Sequence, residues 1–119
     1  MAETIPSVSV SSQKDVRVVE FTNNRILDEA NIADIGNTLK GLIEDKENPK
    51  LLLDFSTVDH LSSAALGMLI NVNKRVKELN GQLRLTNIKP QIFEVFVITK
   101  LNKLFKIHPT RTEALSSFT

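Results

Sequence analysis

Histidines, carboxylates and a small run of serines are the residues of this chain whose chemistry could be put to work. His60 and His108 stand far apart, and neither sits in the H-E-x-x-H spacing that sets two imidazoles on one helix face around a metal. Asp54 and Asp59 are neighbours in sequence. Asp54 ends a predicted strand and Asp59 falls in the loop after it, so turn roles are expected rather than an acid/base pair. Gly36-Asn37-Thr38-Leu39-Lys40-Gly41 has the glycine spacing of a phosphate-binding loop. Leu42 follows, where a lysine must reach the phosphates, and the stretch reads as helix instead of following a strand. No G-x-G-x-x-G occurs, and cysteine is absent. Thiol nucleophiles, disulfide frameworks and cysteine-ligated metals are thereby excluded. The chain is read as a non-enzyme, with no catalytic residue, metal ligand or cofactor assigned.

The remaining group is Ser62-Ser63, inside the segment Asp54–Leu69, DFSTVDHLSSAALGML. This segment runs from the C-terminal end of a predicted buried strand into a predicted helix start. Sites in open α/β sheets gather at such strand ends. A helix start presents free N–H groups and a positive field. Either serine can cap the helix. Ala64, Ala65 and Gly67 are small, so another backbone can approach closely; tight packing against the sheet is the competing use.

Alternation and periodicity supply the elements that must hold this segment in place. Ile5, Val8 and Val10 form a poor strand, and Val16, Val18, Val19 and Phe21 a better one. Gln13-Lys14-Asp15 between them predicts a hairpin. A turn at Asn23-Asn24 and the apolar pair Ile26-Leu27 follow. Ile32, Ile35, Leu39, Leu42 and Ile43 make one helical stripe, capped by Asp28 or Asn31 and stopped at Asn48-Pro49. Leu51-Leu52-Leu53 suits a central strand buried on both faces. A second helix runs from about Ser62 to Asn80. Ala65, Leu69, Val72, Val76 and Leu79 lie on its apolar face, and Asn73 is assigned to the polar side. Asn80-Gly81 ends it.

Leu83 and Leu85 mark the next strand, and Pro90 opens a third helix. In that helix Ile92, Val95, Phe96 and Ile98 are expected to be buried. Phe93 and Val97 form an apolar pair on another side, either a self-association face or a patch buried under the terminal helix and Phe118. Leu104–Ile107 reads as a last strand, and Thr110-Arg111-Thr112-Glu113 as a capping box opening the terminal helix. The order predicts an α/β fold: a mixed, mainly parallel sheet with an N-terminal hairpin and about four helices.

Composition bounds what such a fold does. The chain has 119 residues, one domain's worth, with 15 basic and 14 acidic residues. A net charge of +1 and only six aromatic residues, all Phe, argue against nucleic-acid binding. The charge is segregated: residues 28–60 carry a net −5 and residues 71–106 a net +6. No apolar run approaches the ~18–20 residues of a membrane span. The start, MAETIPSVSVSSQKD, lacks the features of a secretory leader, so a cytoplasmic location is expected.

Taken in order, these segments resemble the STAS domains of bacterial anti-sigma factor antagonists. LLLDFSTV matches that family's hydrophobic strand and its exit, and SSAALG occupies the place of its D-S-S/T-G-L-G signature. NGQLRLTNIKPQIFEVFVITKLNKLFKI is similar to its turn, strand, Pro-started helix and closing L-x-x-L-F-x-I. The resemblance runs from about residue 16 to 119 and implies a single STAS domain over residues 1–119. It also implies a function in partner switching. The unphosphorylated antagonist binds an anti-sigma factor that is also a serine kinase, and phosphorylation of the second S/T of the signature ends the binding.

Aligned on Leu66-Gly67, that phosphoacceptor position is Ala64, which cannot take a phosphate. Ser62 stands at the signature's Asp and Ser63 at its first Ser. These two are the candidates for a displaced acceptor, and Ser63 is expected to serve as the helix cap. The implied partner-binding set is Asp59, Ser62, Ser63, Ala64, Ala65 and Gly67. The implied partner is an anti-sigma factor or related serine-kinase-like protein, with a homodimer through Phe93 and Val97 as a further expectation. A regulatory STAS subunit of a transport system and a small-ligand sensor are the alternatives.

Overall fold

The central strand is the three-leucine run, and it sits where a continuous apolar stretch has to sit. In the computed structural model, which describes residues 8–22, 25–26, 29–44 and 47–118, β4 (Lys50–Asp54) lies between two parallel neighbours. One is β2 (Val16–Phe21) and the other is β6 (Gln82–Thr86). β1 (Val8–Gln13) pairs antiparallel with β2 through the predicted hairpin, and β7 (Lys106–His108) pairs parallel with β6. The order is β1-β2-β4-β6-β7, a mixed and mainly parallel sheet as expected. The hairpin turn is closed by Lys14 in the left-handed region, φ 58.

The sheet has two faces because the side chains alternate. Val19, Phe21, Leu51, Leu53, Leu83 and Leu85 point to the main core. Covering it are α1 (Glu29–Glu44), α2 (Ser63–Glu78) and α3 (Pro90–Ile98), through Ile35, Leu39, Leu69, Val76, Ile92 and Phe96. Val16, Val18 and Leu52 point the other way and meet Ala114 of α4 (Arg111–Ser116), with Leu115 and Phe118 beside it. Thr110 caps α4, its side chain accepting from the Glu113 N–H. The capping half of the predicted box is therefore present.

Several boundaries differ from the sequence reading. Asn31 lies inside α1 and so cannot cap it. Ile5, Asn23-Asn24, Leu27 and Asp28 fall outside the described residues. Arg25–Ile26 (β3) pairs not with the main sheet but with His60–Leu61 (β5), as a separate two-stranded ribbon. Asn73 is buried, because it shares the three- and four-residue spacing of Leu69, Val72 and Val76. Ile98 is 79% exposed, since six residues beyond Ile92 is well off the Ile92–Phe96 stripe. Leu104 belongs to a turn, and the last strand starts only at Lys106. Phe93 and Val97 are 40% and 46% exposed, so the terminal helix does not bury them. Phe118 instead lies against the Arg84 guanidinium, 5.1 Å from the ring centre.

Candidate functional site

The turn after β4 is held from three sides. Asp54 is 2% exposed at the end of the strand. Its carboxylate accepts from the Ser56 N–H at 2.9 Å, so the chain bends at once into a tight turn. The Thr57 hydroxyl donates to the Phe21 carbonyl, and the Phe55 N–H donates to the Thr86 carbonyl at 3.0 Å. Phe55 drops into the core, its ring centre 4.8 Å from that of Phe21 and 6.4 Å from that of Phe96. The loop from Ser56 to Leu61 therefore hangs from a buried aromatic and a buried carboxylate. It delivers the chain to α2 in a defined place.

At the start of α2, Ser62 is the N-cap, in extended backbone at φ −80 and ψ 163. Its Oγ accepts from the Ala65 N–H at 3.1 Å. The cap is Ser62 and not Ser63, against expectation. Ser63 is the first helical residue, and its side chain and that of Ala64 are exposed side by side. Ala65 is turned wholly into the core, so it supports this surface but is not part of it. Gly67 is partly exposed, with open space where a Cβ would stand. Asp59 pairs with Lys89 at the N-terminus of α3, which ties the loop to the third helix. Of the six residues expected to meet a partner, Ser63 and Ala64 lie fully open. Ser62, Asp59 and Gly67 are half-buried around them.

One functional-looking side chain escaped the sequence reading. Arg111, the first residue of α4, reaches across to Asp54 at 2.7 Å and also pairs with Glu20. Asn87 completes the group, its Nδ2 donating to Asp54 at 3.1 Å. Burial by itself would push the Asp54 carboxyl up. Arg111 and the bonds from Ser56 and Asn87 outweigh it and hold the group below the usual carboxylate range. Glu20 and Asp54 in turn fix Arg111 in its charged form. A 57-residue separation leaves no local signal for this pair. Only the parallel register, which lines up Glu20, Asp54, Thr86 and His108 across four strands, brings the partners together. Among the described residues, no group of three or more His, Asp or Glu is placed to hold a metal. No described helix is long and apolar enough to cross a membrane.

The arrangement is a capped helix start with small side chains outward. Ser62 uses its Oγ on the Ala65 N–H, and Ser63 is exposed to solvent. Comparison with known proteins agrees with the fold. The STAS domain family model matches residues 7–114. BtrV of Bordetella bronchiseptica, whose name proposes it as an anti-sigma factor antagonist, is 32% identical over 74 residues. That match covers 62% of this chain and 64% of BtrV. The chain spans 57–64% of the length of the curated relatives it matches. An anti-sigma-factor antagonist (STAS) domain protein from Planctomyces limnophilus superposes with a TM-score of 0.86 at 24% identity, over 98% of this chain and 100% of that one. An anti-sigma factor antagonist from Mycobacterium paratuberculosis gives 0.80 at 22% identity, over 93% and 92%.

Proposed function

The chain belongs to the STAS domain family, and from that premise we propose that it is a protein-binding regulatory module of the anti-sigma factor antagonist kind. It works by sequestering an anti-sigma factor or a related serine-kinase-like protein, and has no chemistry of its own. One domain, in the cytoplasm and without a cofactor, suffices for this. The contact is the α2 start, with Ser63 and Ala64 at its centre and Asp59, Ser62 and Gly67 around it. The observation that carries the reading is the exposed Ser63-Ala64 pair on a helix start fixed by the Ser62 cap and the buried Asp54 turn. Small side chains there let a partner backbone come close, and the free N–H groups favour a polar or anionic partner group. At the place of the family's phosphoacceptor stands Ala64, so the partner is not released by phosphate at that position.

The test is a pull-down with the full chain from the source cell, followed by calorimetric titration of the captured protein with wild type and Ala64→Glu. A serine-kinase-like anti-sigma factor is expected. Binding should be lost in Ala64→Glu while the melting curve is unchanged, since an acid in the first turn of a helix suits the local field. Retained binding would place the contact elsewhere, and capture of a permease would favour the transport-subunit reading.

A further inference from the structure

β7 is an edge strand with no further strand beside it among the described residues. Its outer backbone groups form an open row of donors and acceptors. Next to it lies a cavity of about 300 Å³ lined by Ile88, Phe93, Ile107, His108 and Pro109. Phe93, 40% exposed, forms one wall. On the opposite face of the strand, in the row that carries Asp54, the His108 Nε2 is buried without a hydrogen-bond partner, as is the Thr86 Oγ1 beside it in the register. Lys106 lies on β7 itself, and Lys100 and Lys103 lie in the turn that leads into it; all three are exposed, with no ion pair among the described residues. Three features therefore belong to this edge: open backbone, an apolar hole and three exposed positive charges.

We propose that the β7 edge docks an extended, acidic segment of a partner protein. The segment adds as a strand beside Lys106–His108 and seats one apolar side chain against Phe93. Main-chain pairing at a sheet edge supplies affinity, and a neighbouring pocket supplies selection. The cavity lies at the small end of the range for ligand pockets and suits one large side chain better than a small molecule. The three lysines choose the sign. Two copies of this chain paired edge to edge would bring both lysine sets together, an arrangement that edge lysines oppose. An acidic segment meets them favourably. This surface is separate from Ser63-Ala64, so the inference does not rest on the function proposed above.

Synthetic peptides of about nine residues, with a central Phe between valines and acidic flanks, would be titrated into the full isotope-labelled chain and followed by NMR. Shifts are expected at the amides of residues 106–108 and at Phe93. Affinity should fall at least about tenfold in Lys103→Glu with Lys106→Glu, and in Phe93→Ser, and it should weaken with added salt. Melting curves on the same variants establish that they are folded. Four results would each overturn the proposal: no binding at millimolar peptide, shifts confined to other elements, equal binding of a lysine-flanked peptide, or binding insensitive to Phe93→Ser. A dimer in sedimentation that Phe93→Ser dissolves would assign the edge to a second copy. Binding to phosphatidylserine vesicles without peptide binding would assign it to a lipid surface. Either outcome also overturns it.

Discussion

Arg111 and Asp54 meet at 2.7 Å, one from the first turn of the last helix and the other from the end of the central strand. The contact fastens α4 to the sheet just where the chain turns toward Ser62 and Ser63. Asp54 is almost wholly buried, while Arg111 is about a third exposed. Arg111→Met removes the cation and leaves a buried carboxylate with only Ser56 and Asn87. We expect a loss of about 2–4 kcal/mol, below the full value for a deeply buried pair because water reaches the guanidinium. Urea unfolding followed by circular dichroism measures it. A loss under about 0.5 kcal/mol would show that Ser56 and Asn87 suffice.

The same pair sets a pH dependence. Asp54 is held below its usual range in the folded chain, against about 3.9 when unfolded. A group depressed in this way contributes fully above its unfolded pKa and loses its contribution as pH falls through the folded value. Stability should therefore decline below about pH 4. Asp54→Asn should be less stable at pH 7 but show a shallower decline between pH 5 and pH 3. Parallel slopes for the two proteins in that range would remove Asp54 from the account.

Exposure on α3 separates two phenylalanines only three residues apart. Phe96 is fully buried, its ring centre 5.8 Å from that of Phe105, whereas Phe93 is 40% exposed. Phe96→Ala should cost about 3–5 kcal/mol. Phe93→Glu with Val97→Lys, able to pair across one helical turn, should cost less than about 1 kcal/mol. Thermal melting ranks them. If the double variant melts as low as Phe96→Ala, the α3 surface is core.

The mixed sheet and the order of elements along the chain were legible because the signals are local and strong: alternation in β2, a leucine run in β4, Pro90 at a helix start and Thr110 three residues before Glu113. The Ser62-Ser63 helix start was also legible, since a cap and a small-residue run can be read from adjacent positions. Which serine caps was not, because both are competent and the choice depends on where the Ser56–Leu61 loop delivers the chain. Ile98 was misplaced by grouping apolar residues without following the turn of the helix through to its end. Arg111 was invisible for a different reason. Its partners Asp54 and Glu20 come from strands whose register is settled only by packing. The β3–β5 ribbon likewise joins two pairs of residues too short to carry a periodic signal.

Two glycines should respond oppositely to the same methyl. Gly41 lies on the exposed side of α1, and a Cβ there meets nothing within 4 Å. Gly41→Ala should add about 0.5–1 kcal/mol by reducing the freedom of the unfolded chain. Gly81 follows α2, and a Cβ there would run into the Pro49 carbonyl and ring. Its N–H donates to the Val76 carbonyl, and the Gln82 N–H to that of Pro49, so neither backbone segment is free to move aside. Gly81→Ala should cost about 1–3 kcal/mol. Equal and opposite shifts in melting temperature need not appear, but shifts of the same sign would contradict the argument.

The last expectation concerns the hydroxyls at the α2 start. Ser62 is the cap: its Oγ accepts from the Ala65 N–H, so a kinase would have to open the helix start to reach it. Ser63 is exposed, but it lies about 100° around the helix from Ala64. A kinase that recognises position 64 would meet a methyl group in the wild type. Incubation with the partner kinase and ATP should therefore leave wild type unmodified in this segment, while Ala64→Ser takes up phosphate. The added hydroxyl sits in solvent and should barely move the melting temperature, so any change in modification reports the acceptor and not the fold. Tryptic mass spectrometry distinguishes the three positions. Stoichiometric phosphate on wild-type Ser63 would mean that the kinase tolerates the rotation. Phosphate on Ser62 would mean that it opens the helix start. Either result would count against the reading in which Ala64 stands at the phosphoacceptor position.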